Sequence, residues 1–136
     1  MNVVVDSNIL FSALIRDSKT REILLESDNE FFFPSYVFYE TEKHKKELLA
    51  KSCMDEKEFL KLFEIILSKI SIINEKELQK HKNESIILTK NIDVNDSLFV
   101  ASCLAISKSI LWSDDKKLKN VKKIKVLNTS EIVRLL

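Results

Sequence analysis

The chain has 136 residues, 45% of them hydrophobic and 32% charged, with a formal net charge of +1. That is one domain's worth of chain, so residues 1–136 read as a single domain, and the balance excludes both a disordered chain and one drawn to nucleic acid by bulk charge. The complete lack of glycine excludes dinucleotide fingerprints and phosphate-binding Walker loops, in which backbone approaches phosphate at dihedrals that glycine supplies.

Cys53 and Cys103 stand far apart with no partner at metal-ligand spacing, so neither a disulfide nor a zinc site is expected. Both read as small buried hydrophobes in a reducing compartment. No basic stretch followed by a long apolar one opens the chain, and runs such as Ile86-Ile87-Leu88 fall far short of the ~20 residues of a membrane span. A cytoplasmic protein with no membrane contact is the expectation. Without glycine, left-handed helix ends are expected at Asn29, Asn83, Asn91, Asn120 and Asn128.

Val3-Val4-Val5 is a short β-branched run closed by polar residues, the pattern of a strand buried on both faces. Helical spacing follows in Ile9, Leu10, Ala13 and Leu14, and again in Ile23, Leu24 and Leu25. Phe31-Phe32-Phe33 reads as a second strand, after which Pro34 and Ser35 open a helix to about Lys51. Asp55 and Glu58 form a capping box ahead of a stripe of Phe59, Leu60, Phe63, Ile66 and Leu67. Ile70 to Ile73 is a strand, and Asn74 to Leu88 holds one or two helices. A helix with small residues begins near Asp93 to Asp96, Ile110 to Trp112 is a strand, and Asp115 to Leu118 a helical turn. Ile124 to Val126 is a last strand before a helix from Thr129. Trp112 and the phenylalanines read as core. This alternation predicts an α/β fold with a parallel sheet covered on both faces.

In such sheets ligands bind at the carboxyl ends of the strands. Asp6 ends the first strand, Asp114 and Asp115 follow the fourth, and Asp93 and Asp96 begin the helix leading into it. Each of these acids can equally be a helix cap, and Asp93 with Asp96 fits a capping pair. Glu40 differs, because its helical phase aligns it with Val37, His44 and Leu48 on the face expected to meet the core; Glu42 is its rival. Were Asp6, Glu40, Asp96 and Asp115 to converge, each pair about 5 Å apart would repel by about 3 kcal/mol. An all-carboxylate set of that kind calls for a cation and suits Mg²⁺ or Mn²⁺ rather than zinc. Around it, Arg16, Lys116 and Lys117 are candidate phosphate contacts, although runs of lysine also serve as solvated faces. His44 and His81 read as isolated structural or surface residues.

Four stretches in combination resemble the PIN domain family of metal-dependent ribonucleases: the opening strand into Asp6-Ser7-Asn8, "FPSYVFYE" ending in Glu40, "IDVNDSLFVA" and "LWSDDKKL". The resemblance covers essentially the whole chain and lies closest to small stand-alone prokaryotic members. It implies a three-layer α/β/α sandwich with a central, mainly parallel sheet of about five strands. Asp6, Glu40, Asp96 and Asp115 match the family's metal-binding, catalytic acids. Asp93 is an accessory candidate, and Ser7 and Ser113 match small hydroxyl positions, Ser113 standing where threonine is commoner. The [ST]-x-D spacing favours Asp115 over Asp114.

The implied chemistry is hydrolysis of RNA phosphodiester bonds by water under Mg²⁺ or Mn²⁺, leaving a 5′-phosphate and a 3′-hydroxyl. The implied partners are RNA, an antitoxin protein if the chain is the toxin of a toxin–antitoxin pair, and a second copy in a homodimer. A catalytically inactive RNA-binding or scaffold protein on the same fold is the alternative. A phosphoacceptor using Asp6 as nucleophile fits less well, because the haloacid-type pattern needs an aspartate where Asn8 stands.

Overall fold

The structure is a computed structural model that describes residues 1–93 and 95–136 in full and residue 94 by its backbone alone. Among the described residues five strands form one sheet, in the order β3-β2-β1-β4-β5 and parallel throughout. They are β1 (Asn2–Val5), β2 (Glu30–Pro34), β3 (Ile70–Ile73), β4 (Ser109–Trp112) and β5 (Lys125–Leu127). Val3, Val4 and Val5 are wholly buried, as a central strand with partners on both sides requires.

One face of the sheet is covered by α1 (Ser7–Ile15), α2 (Lys19–Glu26), α3 (Val37–Ser52) and α4 (Glu56–Ser68), which pack on one another, with α8 (Thr129–Leu135) against α2. On the other face α7 (Ser97–Ala105) lies across β1, β2 and β4, backed by α5 (Glu75–Gln79) and α6 (Lys82–Leu88). The three-layer α/β/α sandwich is therefore present. Phe31, Phe33, Phe59, Leu111 and Trp112 fill its core, and the Trp112 indole N–H donates to Thr129 Oγ1 at 3.0 Å.

The Asp55–Glu58 capping box forms as expected, Asp55 Oδ1 accepting from the Glu58 amide at 2.8 Å. Several local details differ. Pro34 closes β2 opposite Ile73 instead of opening α3, which begins at Val37. Leu60 faces solvent, leaving Phe59 and Ile66 as the buried line of α4. The last strand runs one residue later than expected, so that Val126 and Leu127 are buried.

Left-handed backbone falls on Cys53, Lys108 and Lys123 and on none of the five asparagines expected there. Asparagine is used at the opposite helix end. Asn74 and Asn128 accept from the amides of Glu77 and Glu131 as N-caps, a role in which their side-chain oxygens satisfy otherwise unpaired donors. Cys53 ends α3 in an exposed position, so only Cys103 is the buried small residue expected of both. Burial pushes the Cys103 thiol up to about 12.

The chain leaves β1 toward β2 and β3 and returns on the far side of β1 with β4. The crevice between the carboxyl ends of β1 and β4 is the point at which an open parallel sheet exposes its loops to a ligand.

Candidate active site at the carboxyl ends of β1 and β4

Asp6 follows directly on β1, and its amide donates to the Trp112 carbonyl at 3.1 Å, so the β1–β4 ladder carries it into the crevice. It occupies the N-cap position of α1, yet its side chain makes no capping hydrogen bond. The carboxylate is turned instead to Ser113, whose Oγ donates to Oδ2 at 2.6 Å, and only 6% of the residue is exposed. Burial, followed by the charge of Asp115, raises the Asp6 pKa; the Ser113 hydroxyl and the backbone amides of Ser7 and Asn8 hold it back.

Ser113 is itself buried, and its oxygen accepts from the Asp115 amide at 3.1 Å. One hydroxyl thus joins the end of β1 to the loop after β4. Ser7 does not cap α1; its hydroxyl points across the crevice to Glu40 Oε1 at 3.4 Å. Glu40 is half-buried in the first turn of α3 and Glu42 is exposed, as helical phase requires.

Asp96 stands at the head of α7, again without a capping hydrogen bond. Its pKa is pushed up to about 6 by burial first, then by the charges of Asp115, Asp6 and Asp93, against a smaller opposing effect of Lys117. Asp93 is exposed and accepts from the Asn95 amide at 2.9 Å, a turn within the loop rather than a capping pair with Asp96. Asp115 is half-buried and accepts from the Lys117 amide at 3.0 Å as the cap of the 3₁₀ turn Lys116–Asn120. Asp114 turns away to the start of α8, accepting from the Thr129 amide at 2.7 Å and the Thr129 hydroxyl at 2.9 Å. Asp114 is thus committed to the start of α8, while Asp115 stays beside the crevice.

A cavity of about 380 Å³ opens here, its walls carrying Asp6, Glu40, Asp96, Asn8 and Asn95. Asp115, Ser113 and Lys116 line a neighbouring cavity of about 550 Å³, and the field of Asp115 reaches Asp6 and Asp96 from that side. The carboxylates of these two adjoining cavities are an oxygen-only donor set whose chemistry fits Mg²⁺ or Mn²⁺. As the side chains stand, no three Asp, Glu, His or Cys among the described residues are close enough to grip one ion. Asp115 is held back by its bond to the Lys117 amide.

A family model of the PIN domain matches residues 4–133. The chain belongs to the PIN domain family. This PIN domain also resembles the crystal structure of VapBC2 from Rickettsia felis bound to a DNA fragment from their promoter, with a TM-score of 0.70 and 21% sequence identity. The likeness covers 94% of this chain and 98% of that one, and at this identity it speaks for the fold. No curated protein matches the sequence.

Of the basic residues expected around the site, Lys117 influences Asp96, Lys116 lines the adjoining cavity, and Arg16 lies exposed at the end of α1, outside the lining of either cavity. The PIN domain brings in one residue that sequence reasoning set aside. His44 lines the acidic cavity, its Nε2 3.8 Å from Glu40 Oε2 and its Nδ1 3.6 Å from Glu47 Oε2, with its ring 5.5 Å from that of Phe11. The signal was its spacing from Glu40, one helical turn along the same face of α3. No helix is long and apolar enough to cross a membrane among the described residues.

Proposed function

We propose that this PIN domain is a divalent-metal-dependent endoribonuclease, with Asp6, Glu40, Asp96 and Asp115 as its metal-binding acids and Mg²⁺ or Mn²⁺ as its ion. The observation that carries the reading is the side chain of Asp6. It is buried, stands at an N-cap position without capping, and lies within the fields of two further aspartates at the crevice between β1 and β4. A fold gains no stability from assembling such repulsion, so its use is chemical.

When bound, the ion would activate water and neutralise charge on the scissile phosphate and the leaving oxygen. The chain's own residues set the stage. Ser113 holds the Asp6 carboxylate in orientation through the 2.6 Å bond and keeps its lone pair for the Asp115 amide, fixing the two acids relative to each other. Ser7 does the same for Glu40 across the cavity. Asp93 adds charge behind Asp96. Lys117 and Lys116 offer positive charge beside the acids, where phosphate would otherwise be repelled.

VapBC2 is a two-component assembly by name, and its structure includes promoter DNA. By analogy we assign this chain the role of the toxin, in the cytoplasm, with a protein antitoxin as its partner and a homodimer as its resting form. The test is cleavage of single-stranded RNA in Mn²⁺ by the native protein beside Asp6→Asn and Asp96→Asn. The native protein should cut and both variants should not. Equal cutting by all three would refute the site, and no cutting by the native protein would leave the inactive scaffold on the same fold.

A further inference from the structure

The first turn of α3 exposes aromatic side chains that the core does not use. Tyr39 is 59% and Phe38 50% exposed, and the rings of Tyr36 and Tyr39 stack with centroids 5.2 Å apart and planes inclined by 28°. Two near-parallel rings at the surface present a flat π-face to solvent. The pair adjoins the acidic cavity, since the Glu40 amide donates to the Tyr36 carbonyl at 3.0 Å and the Glu40 side chain lines that cavity.

Further along α3, Lys43 and Lys46 follow Tyr39 at the spacing that keeps side chains on one helical face, and both are exposed. Their neighbours Lys45 and Lys51 are paired with Glu56 and Glu47, whereas Lys43 and Lys46 have no carboxylate partner among the described residues. An aromatic face continued by two free cations complements a chain of unpaired bases on a polyanionic backbone. A second copy or an apolar polypeptide laid on the same surface would have to desolvate those lysines without an acid to meet them.

We propose that Tyr36 and Tyr39 are a stacking platform for unpaired bases of single-stranded RNA, and that Lys43 and Lys46 take the phosphates of the strand as it leaves the acidic cavity. This deepens, and rests on, the ribonuclease reading above. Stacking tolerates any base because every base has a π-face, so the surface selects unpaired strand over duplex rather than one sequence over another.

The test is fluorescence anisotropy with a labelled oligouridylate in EDTA, so that binding is read without cleavage. Tyr39→Leu and Tyr36→Leu should each weaken binding about tenfold, within the range that base–aromatic stacking supplies, while Tyr39→Phe should bind like the native protein. Replacing Lys43 and Lys46 by Gln should lower the salt dependence by about 0.7 per lysine, and duplex RNA should compete poorly. Thermal melts of the variants confirm folding. The platform is overturned if Tyr39→Leu binds as tightly as the native protein, if the native protein does not bind the probe, or if duplex competes equally. It is also overturned if Tyr39→Leu instead splits a native dimer or releases a protein partner. Binding through Tyr39 with no cleavage in Mn²⁺ would sink the ribonuclease reading and leave the platform standing. Cleavage in Mn²⁺ with KM unchanged in Tyr39→Leu would do the reverse.

Discussion

Ser113 donates to Asp6 Oδ2 at 2.6 Å across 107 residues of sequence, with both side chains buried. This bond holds the end of β1 to the end of β4, and through the Asp115 amide it reaches the next acid as well. Ser113→Ala leaves a buried carboxylate short of a donor and should cost about 1–3 kcal/mol at neutral pH. The Asp6 pKa is already raised and Ser113 lowers it, so the variant raises it further. A raised acid pKa means stability is complete below the ordinary value of 3.8 and is lost as pH rises through the folded value, so the deficit should be larger at neutral pH than just below the ordinary value. Urea midpoints at the two pH values check this, and Ser113→Thr should restore both.

Asp96 should act as a pH-dependent weak point in metal-free protein. Its folded pKa of about 6 lies above the ordinary 3.8, so its contribution to stability is complete below the ordinary value and is lost as pH rises through about 6. Asp96→Asn removes the repulsion from Asp115, Asp6 and Asp93. It should stabilise the protein near pH 7.5 by about 1 kcal/mol once solvent screening at this half-exposed group is allowed for, with little effect near pH 4. Thermal melts of the two proteins in EDTA measure it. A variant less stable than native at pH 7.5 would show that Asp96 is a structural acid.

Added Mn²⁺ should raise the melting temperature of the native protein, because an ion bound only by the folded state stabilises it by mass action, about 2.7 kcal/mol at a hundredfold excess over Kd. Asp6→Asn and Asp96→Asn should lose most of that gain. Glu40→Gln, on the cavity wall, should lose part of it, and the exposed Glu42→Gln none. Ca²⁺ and Mn²⁺ titrations followed by differential scanning fluorimetry give the comparison, and equal gains in Glu40→Gln and native protein would remove Glu40 from the ligand set.

Adjacent aspartates should separate cleanly. Asp114 accepts from both the amide and the hydroxyl of Thr129, so Asp114→Ala should cost about 1 kcal/mol of stability, as lost caps do, with RNA cleavage near the native rate. Asp115→Asn should keep a cap at the Lys117 amide while lowering cleavage by on the order of a hundredfold, the size of effect that one misplaced group produces in an active site. Single-turnover rates together with unfolding curves for both variants decide it.

Asp6 and Asp115 were legible as candidates because a parallel sheet delivers the ends of its strands to one edge, and Asp96 because the helix that leads into β4 must start from that same edge. Glu40 was legible from helical phase. His44 was only half legible, because its spacing from Glu40 lies within α3, whereas Phe11 and the cavity meet it only once α1 and α3 are packed together. Arg16 illustrates the opposite error, being near Asp6 in the chain but carried beyond the cavity by the length of α1. The left-handed positions were missed for a related reason. Backbone at Cys53, Lys108 and Lys123 is set by where helices and strands must turn, at a local cost of about 1–2 kcal/mol that tertiary packing overrides.

Local pattern by itself determined the order of strands and helices, a mainly parallel sheet and the candidate acids at its carboxyl edge, since side-chain periodicity and capping chemistry act over a few residues. Only the tertiary structure decided which of those acids cap and which do not. Asp6 and Asp96 make no capping hydrogen bond, Asp114 is spent on Thr129, and Asp115 does both jobs at once, capping at the Lys117 amide while its charge reaches Asp6 and Asp96. The distinction rests on burial and on distances across the β1–β4 crevice, and neither exists until the sheet has closed around it.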